Sequence, residues 1–522
     1  MTRVLVTEEI AERGLGVLRD AGHEVDVRLG LAPDGLLAAV RGAHALIVRS
    51  ATKVTADVLE AADELVVVGR AGIGVDNIDV ATATRRGVMV VNAPQSNILS
   101  NAEHTMALLL AQARNVPQAH AALTGGSWER SRWEGVELHG KTLGIIGLGR
   151  VGTLVAQRAS AFGMRLVAYD PYVAPERARQ IGVDLLGLED VVRTADFLSI
   201  HVTKTPETVG LVGDDLLKLA KPGLRIVNTA RGGIVDEDAL ARAIRDGVVG
   251  GAGLDVFAEE PCTSSPLFDL DSVVVTPHLG ASTREAQDKA GATIAEQVLL
   301  ALSGEFVPFA VNVAATEASE TVRPFLPLTE RLGRVFAALN HGVPHVLEVE
   351  YQGGLADYDT RILSLAVLKG LFGAASEEPV SYVNAPQLAA ERGVELRETK
   401  TSVAQDYVNL VSLRGGDHAV AGTLAGLRGE PRIVMVDEHT VDVPPARHML
   451  VIRNDDRPGM IGLVGGVLGR AGVNIANMAL GQSPTGEAAL MVLAVDEPVP
   501  AEVLDTLRNS DGIVDANALS LD

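Results

Sequence analysis

The sequence predicts an α/β protein of several domains, with parallel sheets first and mixed helix–strand units after them. Three observations carry this expectation. Short apolar runs alternate with helix-like segments from the N-terminus to about residue 304. A strand-like run, LGII, feeds Gly-x-Gly-x-x-Gly at 147–152. From residue 448 onward the pattern reads βαββαβ, the ferredoxin-like order.

Over the first hundred residues, candidate strands fall at 3–6, 25–27, 45–48, 65–68 and 88–91, with turn glycines Gly22, Gly42 and Gly87 between them. This alternation predicts a small parallel α/β unit. An apolar helical stretch follows at 100–114, SNAEHTMALLLAQAR. A second α/β series then places strands at 143–146, 166–169, 197–200, 225–228, 253–257 and 273–276. After Thr283 comes one long helical pattern that stops at Gly304.

Small and polar residues at 314–321, AATEASET, read as a linker. Between there and about residue 447 the spacing predicts helices at 324–340 and 360–372 and strands at 345–351, 409–413 and 432–436. The double proline in VPPARH marks another joint. The final unit reads strand 448–453, helix 459–471, strands 473–479 and 487–495, helix 500–509 and strand 512–519.

Composition narrows the function classes. A chain of 522 residues is too long for one core. Hydrophobic content of 47% with 21% charged residues is that of an ordinary globular protein. A net charge of −22 disfavours nucleic acid or an anionic membrane as the main partner. It leaves room for anionic small molecules, because a few placed arginines create a local positive site. Cys262 is the single cysteine, so no intramolecular disulfide can form and a reducing cytoplasm is the expected compartment. The opening stretch MTRVLVTEEIAERG lacks the apolar core of a signal peptide, and no 18-residue apolar run occurs. No metal site is expected.

With 54 glycines, near matches to a glycine fingerprint arise by chance; GRAGIGVDN at 69–77 and the glycines of 462–472 have the wrong spacing. The stretch at 147–152 has the right context: a strand before it, an amphipathic helix after it, and a second strand ending at Asp170. Gly147 allows the tight turn, Gly149 the close approach of a pyrophosphate, and Gly152 the packing of helix on strand. The helix N-terminus offers N–H groups and partial positive charge to the phosphates. Asp170 is placed to bind the adenosine ribose hydroxyls, and its charge repels a 2′-phosphate. Pro171 and Tyr172 add no cation, so the expected cofactor is NAD rather than NADP.

Three later stretches carry candidate chemistry. Arg231 in NTARGG, Glu260 in FAEEP and His278 in TPHLG each follow an apolar strand, where open α/β sheets bind ligands. Oxidising an alcohol by hydride transfer needs a base for the hydroxyl proton, usually histidine. It also needs a cation to orient a carboxylate, which arginine does bidentately. A carboxylate beside the histidine fixes its tautomer. Taken singly, each has a bland reading: a surface ion pair, a Glu-Pro turn, a structural histidine. Their shared placement after an NAD fingerprint favours the chemical reading.

At this point residues 4–313 resemble the D-isomer-specific 2-hydroxyacid dehydrogenases, which carry this fingerprint and this Arg/Glu/His set in this order. The wording GRAGIGVDNID, NAPQSN, ARGGIVDEDAL, LDVFAEEP and TPHLGAST is similar to the long-form branch that acts on 3-phosphoglycerate. The resemblance implies a Rossmann-type NAD domain, 100–284, inserted in a flavodoxin-like substrate domain formed by 1–99 and 285–313. An α+β intervening domain, 314–446, and a ferredoxin-like ACT domain, 447–522, would follow. It implies that Arg231 holds the substrate carboxylate, His278 is the acid/base and Glu260 its partner. Arg150, Val151, Asp170, Thr229, Ala230 and Asp255 match positions that contact NAD. Arg49 matches a residue on the substrate phosphate, and Arg130 a cation reaching into a neighbouring subunit's site; a solvated basic turn is the other reading of Arg130. In the ACT region, Asn454, Asp456 and Asn474 match positions that contact L-serine, the feedback effector, although relatives carry His or Tyr at 454. An assembly module that binds nothing is the alternative for this tail. The implied reaction is NAD-dependent oxidation of 3-phosphoglycerate to 3-phosphohydroxypyruvate, in a homotetramer. The alternatives are a glyoxylate, hydroxypyruvate or 2-oxoglutarate reductase, and an NAD-sensing binding protein without catalysis.

Overall fold

The computed structural model describes residues 2–313, 319–340, 342–374, 380–403, 406–426, 428–482 and 489–520. Residues 314–318 of the expected linker and 487–488 of the expected strand lie outside these. Four sheets organise the described chain.

The first sheet contains β1 (Arg3–Val6), β2 (Glu24–Val27), β3 (Ala45–Val48), β4 (Val67–Arg70) and β5 (Met89–Val91). Its order is β2-β1-β3-β4-β5, all parallel, which is the flavodoxin-like arrangement. The chain returns to this sheet almost 200 residues later. Helix Arg284–Leu302 buries Ala290, Ile294, Ala295 and Val298 in the same core as Val67 and Val91. Asn312 then accepts from the Val90 N–H and donates to the Val88 carbonyl, at 2.9 Å each.

The second sheet is built from β6 (Thr142–Ile146), β7 (Arg165–Tyr169), β8 (Asp184–Leu185), β9 (Phe197–Ile200), β10 (Leu224–Asn228), β11 (Val249–Leu254) and β12 (Val273–Val275). The order β12-β11-β10-β9-β6-β7-β8 is the Rossmann arrangement extended by one strand, and it reverses direction between β6 and β9. All five β6 residues are buried, as expected of a parallel strand covered on both faces. The strand expected at 253–257 sits earlier, at Val249–Leu254, so Asp255 lies in the loop beyond it. Gly253 lets helix Ile98–Ala113 approach β11, since a Cβ there would stand 3.1 Å from that of Leu108.

The third sheet has order β14-β13-β15-β16-β17-β18, from β13 (Val346–Gly353), β14 (Glu395–Thr401), β15 (Asn409–Gly415), β16 (His418–Ala425), β17 (Glu430–Val436) and β18 (His439–Val443). Helices Leu326–Leu339 and Arg361–Gly373 pack together over it. The sequence reading has no strand at β14, whose ELRETKT exposes nearly every side chain and shows no apolar alternation. The fourth sheet, β20-β21-β19-β22, comprises β19 (His448–Asn454), β20 (Ile475–Gln482), β21 (Ala489–Val495) and β22 (Ile513–Ser520), with helices Met460–Arg470 and Ala501–Arg508 between strands.

One core runs through three of these units. Val298 of the first, Phe336 and Tyr351 of the third, and Val451 and Leu519 of the fourth belong to a single cluster of buried side chains. The second sheet packs its own separate clusters.

Candidate active site

The chemistry assembles in the cleft between the first two sheets, beyond the C-terminal ends of their strands. Arg70 ends β4, Arg231 follows β10, Glu260 follows β11 and His278 follows β12. A cavity of about 220 Å³ is lined by Arg70, Asn97, Lys204, Arg231, Glu260 and His278, among others. It adjoins a larger cavity that adds Arg49 and Lys53.

His278 and Glu260 meet side by side, with Nδ1 2.7 Å from Oε2. The other Glu260 oxygen accepts from the Phe257 N–H at 3.0 Å. Burial pushes the Glu260 carboxyl up, but its bonds to His278 and Phe257 outweigh this and hold it below its ordinary value. With Nδ1 engaged, Nε2 is the ring nitrogen left for a substrate. His278 has φ +56, a backbone region that residues with a Cβ seldom occupy. Its N–H is held by the carbonyls of Asp255 and Thr276, at 2.9 and 3.0 Å.

Asp255 explains how that loop is fixed. Fully buried, its carboxylate accepts from Thr276 Oγ1 at 2.6 Å, Leu279 N at 2.7 Å and Gly280 N at 2.8 Å, with His104 Nε2 at 3.1 Å. Burial raises its pKa, and these partners together bring it below the usual carboxylate value. Its oxygens are thus engaged within the protein. The geometry makes Asp255 a brace for the His278 loop.

Arg231 extends across the cleft. Its Nη1 donates to the Ala230 carbonyl at 2.8 Å and its Nε stands 3.5 Å from Asp76 of the opposite lobe. Buried Asn228 pins the turn, accepting from Ala230 N and donating to the Arg231 carbonyl, both at 3.0 Å. Thr229 is tied to helix Ile98–Ala113 through Asn101 at 2.9 Å and Thr105 at 2.7 Å.

Sequence reasoning passed over Arg70, whose motif entered as a fingerprint decoy and as part of the family likeness, with no role for the arginine itself. Burial first, and then the charge of Arg231, lower its pKa to about 10, so it stays cationic at neutral pH. Among the described residues its Nε is buried without a partner, as is Asn97 Oδ1 in the same cavity. The signal available was position: an arginine ending an apolar strand, at the edge where such sheets bind ligands.

The fingerprint forms as expected. Gly147 has φ +92, and a Cβ on Gly152 would collide with the Gly147 carbonyl. Helix Arg150–Ala161 starts from Gly149 with no side-chain cap, and a Cβ there would meet nothing within 4 Å. The first N–H groups of the helix therefore face open space suited to a diphosphate. Asp170 holds the loop, accepting from Leu148 N at 2.8 Å and Tyr172 N at 2.9 Å. The residues present fit NAD. Arg150 is exposed at the helix start and Val151 is half-buried beside it.

The remaining candidates lie apart. Arg49 lines the larger cavity and its N–H donates to Glu8 at 2.8 Å. Arg130 sits in an exposed loop with Trp128 and Glu134, away from the cleft of its own chain. Asn454 is buried at the end of β19, donating to the Asp455 carbonyl at 2.7 Å, while its Oδ1 has no partner among the described residues. Asp456 is exposed, and Asn474 donates to Asp496 at 2.6 Å. Among the described residues, no helix is long and apolar enough to cross a membrane.

A nucleotide lobe facing a second α/β lobe, with a His–Glu pair and an arginine between them, defines an NAD-dependent dehydrogenase of 2-hydroxy acids. Comparison with known proteins agrees. The family description "D-isomer specific 2-hydroxyacid dehydrogenase, NAD binding domain" matches residues 106–280, "D-3-phosphoglycerate dehydrogenase intervening domain" residues 321–437, and "ACT domain" residues 448–512. The D-3-phosphoglycerate dehydrogenase of Mycobacterium leprae (strain TN) is 50% identical over 507 residues, 96% of each chain. That of Archaeoglobus fulgidus is 43% identical over 528 residues, 99% of this chain and all of the other. Among solved structures, the TT0316 protein from Thermus thermophilus superposes with a TM-score of 0.56 at 38% identity, covering 59% of this chain and 100% of its own. Aquifex aeolicus D-lactate dehydrogenase, complexed with NAD and lactic acid, gives 0.53 at 27% identity, over 60% of this chain and 100% of its own. The chain belongs to the D-3-phosphoglycerate dehydrogenase family.

Proposed function

We propose that this chain oxidises the C2 hydroxyl of 3-phosphoglycerate to the ketone of 3-phosphohydroxypyruvate, the entry step of L-serine synthesis. The observation that carries this reading is the charge layout of the cleft. Arg231 stands by the His278–Glu260 pair, and Arg49, Lys53 and half-buried Arg70 line the adjoining space. A substrate with a carboxylate at one end and a phosphate at the other fits that layout, because arginines bind both groups strongly.

Arg231 orients the carboxylate and the C2 oxygen. His278 Nε2 removes the hydroxyl proton as C2 loses its hydrogen with the bonding pair and the C=O bond forms. When bound, NAD supplies the electrophilic nicotinamide C4 that takes this hydride. Glu260 holds the ring by Nδ1 and offsets the charge His278 gains. Gly147, Gly149, Arg150, Val151 and Gly152 cradle the diphosphate. Asp170 takes the adenosine ribose, and Thr229, Ala230 and Asp255 shape the nicotinamide end. Arg130 reaches the site of a neighbouring subunit in a homotetramer, working in the cytoplasm.

The reading includes domains at 1–99 with 285–313, 100–284, 314–446 and 447–522. In the last, Asn454, Asp456 and Asn474 bind L-serine; the unpartnered buried Asn454 Oδ1 is an acceptor suited to an ammonium or hydroxyl. The test is NAD reduction with 3-phosphoglycerate, with and without serine. Turnover that serine suppresses is expected. No turnover, or much faster reduction of glyoxylate than of 3-phosphohydroxypyruvate, would overturn the substrate; insensitivity to serine would overturn the effector.

A further inference from the structure

Lys204 lies in the loop after β9, on the nucleotide side of the cleft, and lines the same cavity as Arg231, Glu260 and His278. Its ammonium rests against the main chain two residues beyond Arg231: a Cβ on Gly233 would stand 3.3 Å from Nζ. Gly233 has φ +80, so the chain turns there without a side chain and leaves that space to the lysine. The cavity brings three fixed cations together, Arg70, Lys204 and Arg231. Its two carboxylates are already engaged, Asp76 with Arg231 at 3.5 Å and Glu260 with His278 at 2.7 Å. Among the described residues Lys204 has no hydrogen bond or ion pair. Cations gathered in a cleft without matching anions repel one another unless an anionic ligand arrives.

The cations divide by position. Arg49 and Lys53 belong only to the larger cavity on the substrate lobe, Lys204 and Arg231 only to the smaller one, and Arg70 lies between as part of both. We propose that Lys204 is a second carboxylate-binding cation, acting beside Arg231 on the end of the substrate that every 2-hydroxy acid shares. The proposal rests on the 2-hydroxyacid reading of the site, but not on the phosphate. Lysine suits the place: a compact ammonium on a flexible stem can follow the carboxylate as the lobes close, while the rigid fork of Arg231 sets its orientation.

The test compares Lys204→Met and Lys204→Arg with the full-length wild-type enzyme in the reductive direction, using 3-phosphohydroxypyruvate and its phosphate-free analogue hydroxypyruvate. NADH affinity is measured separately by fluorescence titration. Losing one charge-assisted contact predicts a fall in kcat/KM of about ten- to a hundredfold in Lys204→Met, of equal size for both substrates and carried by KM. NADH binding should be unchanged, and Lys204→Arg should recover most of the loss. A weakened NADH affinity would assign the lysine to the cofactor instead. A loss confined to the phosphorylated substrate would assign it to the phosphate, and unaltered kinetics would leave it a solvated side chain; each overturns the proposal. If the wild type fails to reduce 3-phosphohydroxypyruvate yet reduces hydroxypyruvate, the substrate reading fails while the lysine is still decided on hydroxypyruvate.

Discussion

His278 Nδ1 lies 2.7 Å from Glu260 Oε2, and this contact joins two loops that leave adjacent strands of the nucleotide-binding sheet. It leaves Nε2 as the reactive nitrogen. His278→Ala should lower kcat by about 10²–10⁴, the usual worth of a general acid–base, while NADH still binds. Glu260→Gln keeps the shape and removes the charge, so it should lower kcat less, by roughly ten- to a hundredfold. Stopped-flow turnover with parallel NADH titration checks both; wild-type kcat in His278→Ala would remove the residue from the mechanism.

Arg231→Lys tests whether planar geometry matters beyond charge. A fork held by the Ala230 carbonyl and reaching toward Asp76 cannot be reproduced by an ammonium. kcat/KM should fall by about a hundredfold, on the scale of a lost bidentate charge-assisted contact. A value within threefold of wild type would show that any cation suffices.

Arg49 should act on the phosphate alone, whereas Arg70, which lines both cavities, should act on both ends of the substrate. Replacing either by Ala should raise KM for 3-phosphoglycerate by about tenfold or more, since each removes a hydrogen bond to a charged group. Hydroxypyruvate reduction should change little in Arg49→Ala and should fall in Arg70→Ala. Equal losses on both substrates in Arg49→Ala would contradict the division of the cleft.

His201 makes stability depend on pH. Burial lowers its pKa to about 4 from the ordinary 6.5, with Ser199 Oγ 2.7 Å from its Nε2. The folded chain keeps the ring neutral where the unfolded chain binds a proton. Its contribution is therefore complete above pH 6.5 and declines as pH falls toward 4. Melting midpoints at pH 7.5 and 5 should differ by less in His201→Asn than in wild type. An unchanged difference would locate the acid sensitivity elsewhere.

Asp170 has a structural as well as a binding role, because one of its oxygens holds the main chain inside the fingerprint at Leu148 and the other the turn at Tyr172. Asp170→Ala should weaken NAD binding and also lower the melting midpoint without NAD. Loss of affinity with an unchanged apo midpoint would assign it to the ribose alone.

The sequence determined the elements whose physics is local. The fingerprint announces a strand–turn–helix because Gly147 turns at positive φ and Gly152 packs where a Cβ would meet the Gly147 carbonyl, and apolar periodicity marked most strands of both catalytic sheets. Strand ends also located Arg231, Glu260 and His278. Two kinds of fact needed the folded chain. The first is whatever lacks an apolar signature: β14 is polar and exposed, and Gly253 of β11 carries no side chain to mark the face on which helix Ile98–Ala113 packs. The second is proximity between residues far apart in sequence. Arg70, Lys204 and Arg231 lie more than 25 residues apart from one to the next, yet line one cavity. Asp255 matches a cofactor-contacting position in sequence, and the folded chain adds a second role by surrounding its carboxylate with donors that brace the His278 loop. Hydrophobic patterning specifies what is buried within each element. Where the charged groups meet is set by how the lobes pack, and burial and charge at that meeting point give the site its chemistry.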